Sequence, residues 1–207
     1  MKVRTQERRD LIIAAAAVLF QEVGFERASM NEIAKRLGGS KATLYGYFPS
    51  KEALFVEVVK SVATGHLSDA AARLAAHDWD NLPLNQVLTR FGERMLFVLT
   101  NDRNALAVYR MVMGEAGRSN IGMLFYEAGP SDCNDVLATW MRQAMERGEL
   151  KVADPYMRGA QFLALMTAEV QIRFFQPSPE PLEIDQVKGL VERAVEMFLK
   201  GARSNEC

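Results

Sequence analysis

The chain has 207 residues, of which 49% are hydrophobic and 25% charged, with a formal net charge of −1. That is enough apolar material for a buried core and too much for a disordered chain. Its longest apolar run, residues 11–20, falls far short of the roughly 20 residues a membrane-spanning helix needs, and Cys133, Cys207, His66 and His77 offer neither a disulfide framework nor zinc-ligand spacing.

The first helix is announced by Leu11, Ile12, Ala15, Ala16, Leu19, Phe20 and Val23, which recur along one helical face. The basic stretch before it and the apolar run within it resemble a signal peptide only superficially. No small-residue cleavage pattern follows, and the amphipathic pattern continues through Val23, so the expectation is a cytoplasmic protein. Gly24 stands where a helix-ending glycine belongs. Ser29 with Glu32 three residues on reads as a capping box. The helix it opens has Ile33, Ala34 and Leu37 as its apolar face and ends at Gly38-Gly39. Ser40 caps a third short helix over 41–48. Pro49-Ser50 breaks the chain, and Ser50 caps a fourth helix through Leu54, Phe55, Val58, Val59 and Val62 toward Ala76, with Gly65 as a kink.

The remainder predicts helices over 84–100, 103–116, 119–126 and 131–147, separated by Pro, Gly and Asn-Asp breaks. Asp154-Pro155 reads as an N-cap followed by proline at the first helical position, opening a helix to about Phe175. Pro177, Pro179 and Pro181 form a stiff linker, and 183–200 is the last helix. No segment has a period of two, and there is no internal repeat. The expected fold is all-α with about nine helices. Residues 1–50 are expected to form one small helical domain and 51–207 a larger helical one.

Three short helices with a tight glycine turn between the second and third make a helix-turn-helix, whose second helix enters the major groove of DNA. Residues 1–60 carry ten Lys/Arg against seven Asp/Glu, and the rest 15 against 19, a modest basic front on an acidic body. The third helix has suitable chemistry. Ser40 opens an N-terminus that can face a phosphate, Lys41 is a mobile cation, and Ala42 allows close approach to bases. Thr43, Tyr45 and Tyr47 offer hydroxyls, and Lys51 is placed to clamp another phosphate. Leu44 and Phe48, four apart, face inward onto Phe20, Ile33 and Leu37. Tyr45 and Tyr47 read equally as core aromatics outside this context. Lys2, Arg4, Arg8 and Arg9 form either a basic arm toward DNA or a solubilising tail.

Residues 38–55, GGSKATLYGYFPSKEALF, together with Ala15–Phe20, Gly24-Phe25 and Ser29–Ala34, closely resemble the signature of TetR-family transcriptional regulators. The resemblance covers about the first 60 residues. It implies that Ser29, Ser40, Thr43, Tyr47 and Lys51 meet phosphates, and that Lys41, Ala42 and Tyr45 meet base edges. Two positions depart from the pattern. Gly39 stands where an apolar residue is usual, which loosens the packing of the second helix on the third. Gly46, inside the recognition helix, costs about 1 kcal/mol of helix propensity and removes a possible base contact.

The segments 110–116 and 125–130 resemble the AefR-like C-terminal subgroup. In that family the last two helices pair with their copies. This implies a homodimer on a pseudo-palindromic operator of double-stranded DNA, through Leu163, Val170, Phe174, Val187, Val191, Val195 and Phe198, although the same stripe reads as ordinary core. Nine of the eleven methionines lie in the body. With its aromatics they suggest an adaptable apolar pocket for a small-molecule effector, lined by Phe91, Met95, Tyr109, Met113, Phe125 and Trp140. The expected function is a repressor released from its operator by a small apolar or amphipathic effector. The alternative is a DNA-binding regulator without such an effector, controlled by a protein partner or acting as an activator. With no Ser-His-Asp set and no phosphate loop legible, no enzymatic activity, metal, cofactor or membrane association is expected.

Overall fold

The structure is a computed structural model that describes residues 5–64 and 82–204, without the side chains of 63 and 64. Ten α-helices lie in these residues: α1 Gln6–Val23, α2 Met30–Arg36, α3 Lys41–Tyr47, α4 Lys51–Val59, α5 Leu84–Asn101, α6 Arg103–Glu115, α7 Ile121–Glu127, α8 Pro130–Glu146, α9 Pro155–Ala168 and α10 Ile184–Ala202. A π-helical turn, Lys60–Thr64, continues α4. The continuation expected toward Ala76, with its kink at Gly65, lies outside the described residues, as do Lys2, Arg4, His66, His77 and Cys207. Among the described residues there is no strand, no helix long and apolar enough to cross a membrane, and no group of three His, Cys, Asp or Glu placed to hold a metal ion.

Hydroxyl and carboxylate caps set the helix starts. Thr5, Ser29, Ser40, Ser50 and Asp154 each accept a hydrogen bond from the backbone N–H three residues on. Each satisfies a donor the helix leaves open and contributes about 0.5–2 kcal/mol. The stops are equally local. Gly24 (φ 83°) ends α1, its N–H bonded to Phe20 O. At the end of α2, Gly38 (φ 61°) donates to Lys35 O and Gly39 to Ala34 O, the Schellman arrangement that satisfies terminal carbonyls.

α9 stops earlier than its apolar pattern predicts. The helix expected to reach Phe175 ends at Ala168, and Gln171–Phe175 is a 3-10 turn. Thr167 turns its hydroxyl back onto the carbonyls of Leu163 and Ala164, which favours bending. Val170 N then bonds Thr167 O and Arg173 N bonds Val170 O, the tighter three-residue ladder.

The chain divides into two compact units, 1–65 with 104–130 and 66–103 with 131–207. In the first, α1–α4 are joined by most of α6 and by α7, which packs on α4. Phe20, Phe25 and Phe55 meet in tilted and edge-on pairs with centroids 5.1–5.9 Å apart, and Ile33, Leu44, Phe48 and Leu54 are buried with them. In the second unit α5, α8, α9 and α10 share one core built around Phe91, Trp140, Phe162, Val191 and Phe198. α5 runs close to α9 and α10 at Gly92, where an added Cβ would lie 2.6 Å from Met166 Cε and 2.9 Å from Val191 Cγ1.

Candidate nucleic-acid interface

α3 has two faces. Leu44 and Phe48 are each 2% exposed and anchor it in the core of its unit. Lys41, Ala42, Thr43 and Tyr45 stand on the solvent side, Tyr45 43% exposed. The core reading of Tyr45 therefore fails, because its ring has no place among Phe20, Phe25 and Phe55. Lys41 Nζ lies 5.7 Å from the centre of the Tyr45 ring, so cation and aromatic form one surface. Ser40 Oγ accepts from Thr43 N at 3.1 Å and lies 2.9 Å from Thr43 Oγ1. Ser29 does the same for Glu32 N at 3.2 Å; the reciprocal half of the expected box is replaced by Glu32 leaning toward Arg36, 3.6 Å away. Tyr47 is half-buried and its hydroxyl oxygen accepts from Thr5 N at 3.2 Å. That leaves its own proton for a partner outside the protein.

Lys51 is placed differently from the sequence expectation. Its ammonium donates to the carbonyl oxygens of Phe25, Glu26 and Ala28 at 2.8, 3.3 and 3.2 Å, using all three of its protons. It caps the turn between α1 and α2 rather than reaching out to a phosphate. Arg8 and Arg9 are likewise not arm residues. Arg8 Nη2 donates to Leu37 O at 3.2 Å. Arg9 pairs with Glu57 of α4, its guanidinium 5.1 Å over the Phe48 ring. The space above Gly39 is filled by Arg8: a Cβ there would lie 3.0 Å from Arg8 Nη2. The missing apolar side chain thus makes room for the arginine that holds the α2–α3 turn.

The seven residues expected at a dimer interface all pack into the core of their own chain. Val170, Val187, Val191, Val195 and Phe198 are buried, and Leu163 and Phe174 pack against the same cluster. The strongest apolar stripe of α10 faces α5, not outward. A second stripe is exposed. On α9 it holds Ala160, Ala164 and Ala168, and on α10 Arg193, Met197 and Gly201, at four-residue spacing. Between these helices lies an open groove of about 440 Å³ lined by Arg158, Gln161, Ala164, Leu165, Met197, Phe198, Gly201 and Ala202. Arg193 forks onto Glu169 at 2.9 and 2.7 Å, joining the end of α9 to α10, and its hydrogen bonds hold the Glu169 carboxyl below its usual pKa. The signal for this face was in the sequence as alanines at every fourth position of α9, a weaker signature than the valine and phenylalanine stripe of α10 beside it.

The residues expected to line an effector pocket fall in both units. Phe91, Met95 and Trp140 are buried together in the second, Phe91 edge-on to Trp140 at 5.7 Å. Tyr109 and Phe125 pair in the first at 6.2 Å. Met113 is 61% exposed and is not buried with either group. It sits on α6 one residue past the buried Val112, about 100° further round the helix.

The model for bacterial regulatory proteins of the tetR family matches residues 12–58, and that for the C-terminal domain of AefR-like transcriptional repressors matches residues 86–201. Among solved structures, a putative TetR-family transcriptional regulator from Mesorhizobium loti MAFF303099 superposes with a TM-score of 0.77 at 25% identity, covering 98% of this chain and 100% of that one. The flavonoid-responsive regulator FrrA superposes with a TM-score of 0.72 at 30% identity, with the same coverage. The A-factor receptor protein of Streptomyces griseus is 29% identical over 140 residues, 67% of this chain and 45% of that protein. The chain spans less than half the length of the first curated relatives it matches. With a helix-turn-helix whose third helix is anchored on one face and open on the other, the chain belongs to the TetR family of DNA-binding transcriptional regulators, in the branch with an AefR-like C-terminal domain.

Proposed function

We propose that this regulator is a repressor that grips a pseudo-palindromic operator as a homodimer and leaves it when a small amphipathic molecule binds. The observation that carries the operator reading is the exposed surface of Lys41, Ala42, Thr43 and Tyr45 on a helix pinned by Leu44 and Phe48. A helix so held can enter a major groove without losing its support. Ser29, Ser40 and Tyr47 flank this surface as phosphate partners, while Lys51 holds the turn behind it.

The dimer contact is the outer stripe of α9 and α10. The alanines of α9 permit close helix approach, and the groove beside them is largely apolar. Two-fold pairing there would present two recognition helices to two half-sites. The effector reading is supported by the side chains of the second core, where Phe91, Met95, Trp140, Met141 and Met166 pack together. Thioether and aromatic groups of this kind repack around apolar guests. Two proteins similar to this one are named for a flavonoid response and as a receptor. The protein would then work in the cytoplasm, on DNA, without catalysis.

The test is selection of duplexes by the full-length protein from a library of randomised inverted repeats, followed by titration with a panel of flavonoids. The expected result is one enriched inverted repeat, bound with an affinity that falls steeply with salt, and release by at least one flavonoid that also quenches or shifts the emission of Trp140 in a Trp79→Phe background. Enrichment of no repeat removes the operator reading. Release by no flavonoid removes this effector class.

A further inference from the structure

The turn between α1 and α2 is gripped by charges from two other helices of its unit. From α4, the Lys51 ammonium takes the carbonyls of Phe25, Glu26 and Ala28. From the last residue of α6, the Glu115 carboxylate takes the opposite end of a peptide in the same turn: Glu26 N donates to Glu115 Oε2 at 3.2 Å. The other carboxylate oxygen, Oε1, lies over Gly24, in the space a side chain would fill there. Gly24 is thus required twice, for its φ of 83° and for the room it leaves Glu115.

Glu115 is an unexpected residue for its own helix. A negative charge in the last turn opposes the helix dipole, so its place is not explained by α6. Its backbone is also fixed, with the Glu115 carbonyl accepting from Arg118 N and Ser119 N at 2.8 and 3.2 Å. The main chain thus holds the end of α6 in its own turn, and the side chain ties that end to the α1–α2 turn. That turn runs through Ala28 directly into Ser29, the N-cap of α2. In the other direction, α6 follows α5 with Asp102 alone between them.

We propose that Glu115 is a positioning residue for operator binding: its carboxylate, docked on the Glu26 amide over Gly24, couples the end of α6 to the start of α2 and through it to α3. This rests on the reading of α3 as the operator-contacting helix. A displacement of α6 moves the Glu26 peptide, and the Ser29 cap follows. Coupling is reciprocal, so operator binding must in turn be felt at the end of α6, far along the chain from any residue that touches DNA.

The experiment compares the full-length protein with Glu115→Leu and Glu115→Gln, using the duplex selected above and hydrogen exchange read by mass spectrometry. In the unaltered protein the duplex should slow exchange over 41–47 and also over 112–120. In Glu115→Leu the slowing over 112–120 should vanish, and the operator Kd should rise about tenfold with an unchanged salt slope, since no phosphate contact is lost. Glu115→Gln keeps the acceptor and should restore both within about threefold. Unchanged exchange over 112–120 in the unaltered protein overturns the coupling, as does wild-type affinity in Glu115→Leu. No slowing over 41–47 in the unaltered protein overturns the reading of α3, and the coupling falls with it.

Discussion

The Lys51 ammonium lies 4.2 Å from the centre of the Phe25 ring while donating to the Phe25 carbonyl oxygen at 2.8 Å. One side chain thus holds both the backbone and the aromatic anchor of the α1–α2 turn. Phe25 is 2% exposed and packs edge-on against Phe55, so the lysine reaches the core of its unit from the helix that follows α3. Two roles for Lys51 can be told apart by salt. A phosphate ligand contributes to the salt dependence of binding, and its loss lowers the slope by about one. A cap does not. Lys51→Met should weaken operator binding and lower stability by about 1–3 kcal/mol, the cost of losing charged hydrogen bonds to partly buried carbonyls, with the salt slope unchanged. Gel-shift titrations across a salt series, with a thermal melt, check both parts. A slope reduced by one at unchanged stability returns Lys51 to the phosphate role.

The second core makes a prediction at Gly92. An added methyl gains helix propensity of up to about 1 kcal/mol, but it lands on Met166 Cε and Val191 Cγ1. Methionine swings aside easily. The β-branched valine, held to one rotamer in α10, does not. Overpacking of this kind costs about 1–3 kcal/mol, so Gly92→Ala should lower Tm. Gly114→Ala, where an added Cβ meets nothing within 4 Å, should leave Tm level or raise it. Equal effects at both positions would mean that α5 does not approach α10 as closely as described.

Cys133 should be a poor nucleophile. Burial pushes its thiol up to about 11, so roughly one molecule in a thousand is thiolate at pH 8. In a Cys207→Ser background, labelling by a thiol-disulfide reagent should be slow at pH 8 and should accelerate tenfold per pH unit well past 9. A labelling midpoint near that of a free thiol would place Cys133 at the surface.

The local parts of this molecule were legible in the sequence because they are set by neighbours in the chain. Ser29, Ser40, Ser50 and Asp154 cap helices where their spacing predicts, and Gly24 and Gly38 take the left-handed φ that stops α1 and α2. Leu44 and Phe48 face inward because four residues make about one turn. The parts that were not legible depend on residues far along the chain. The charge and position of Lys51 and the family resemblance point to a phosphate, whereas its carbonyl partners lie 23–26 residues away. For Arg8 and Arg9 the sequence leaves an arm and a solubilising tail open, because Leu37 and Glu57 cannot be seen from position 8 or 9. For α10 the pattern gave the buried stripe and left its partner open. Amphipathicity says that Val187, Val191, Val195 and Phe198 are buried, but not whether by the same chain or a second one.

That last ambiguity gives the prediction with the clearest two-way outcome. Val195 and Phe198 are 5% and 4% exposed inside their own chain, and Phe198 meets Phe162 edge-on at 5.4 Å. A carboxylate at 195 would be desolvated without a partner, at a cost of several kcal/mol. Val195→Glu should therefore unfold or aggregate the chain rather than yield monomers. Met197, two residues on, is 64% exposed and lines the open groove with Ala164. Glutamates there are hydrated in a single chain and desolvated only when two copies meet. The Ala164→Glu, Met197→Glu double variant should keep its helical circular dichroism and its melting behaviour at low concentration, yet sediment as a monomer at micromolar concentration. Its affinity for the selected inverted repeat should fall by 100-fold or more, because each half-site then binds alone and the effective-concentration gain of the second is lost. Affinity for an isolated half-site should be unchanged. A folded double variant that remains dimeric would move the interface off α9 and α10, and a folded, monomeric Val195→Glu would assign it to the inner stripe after all.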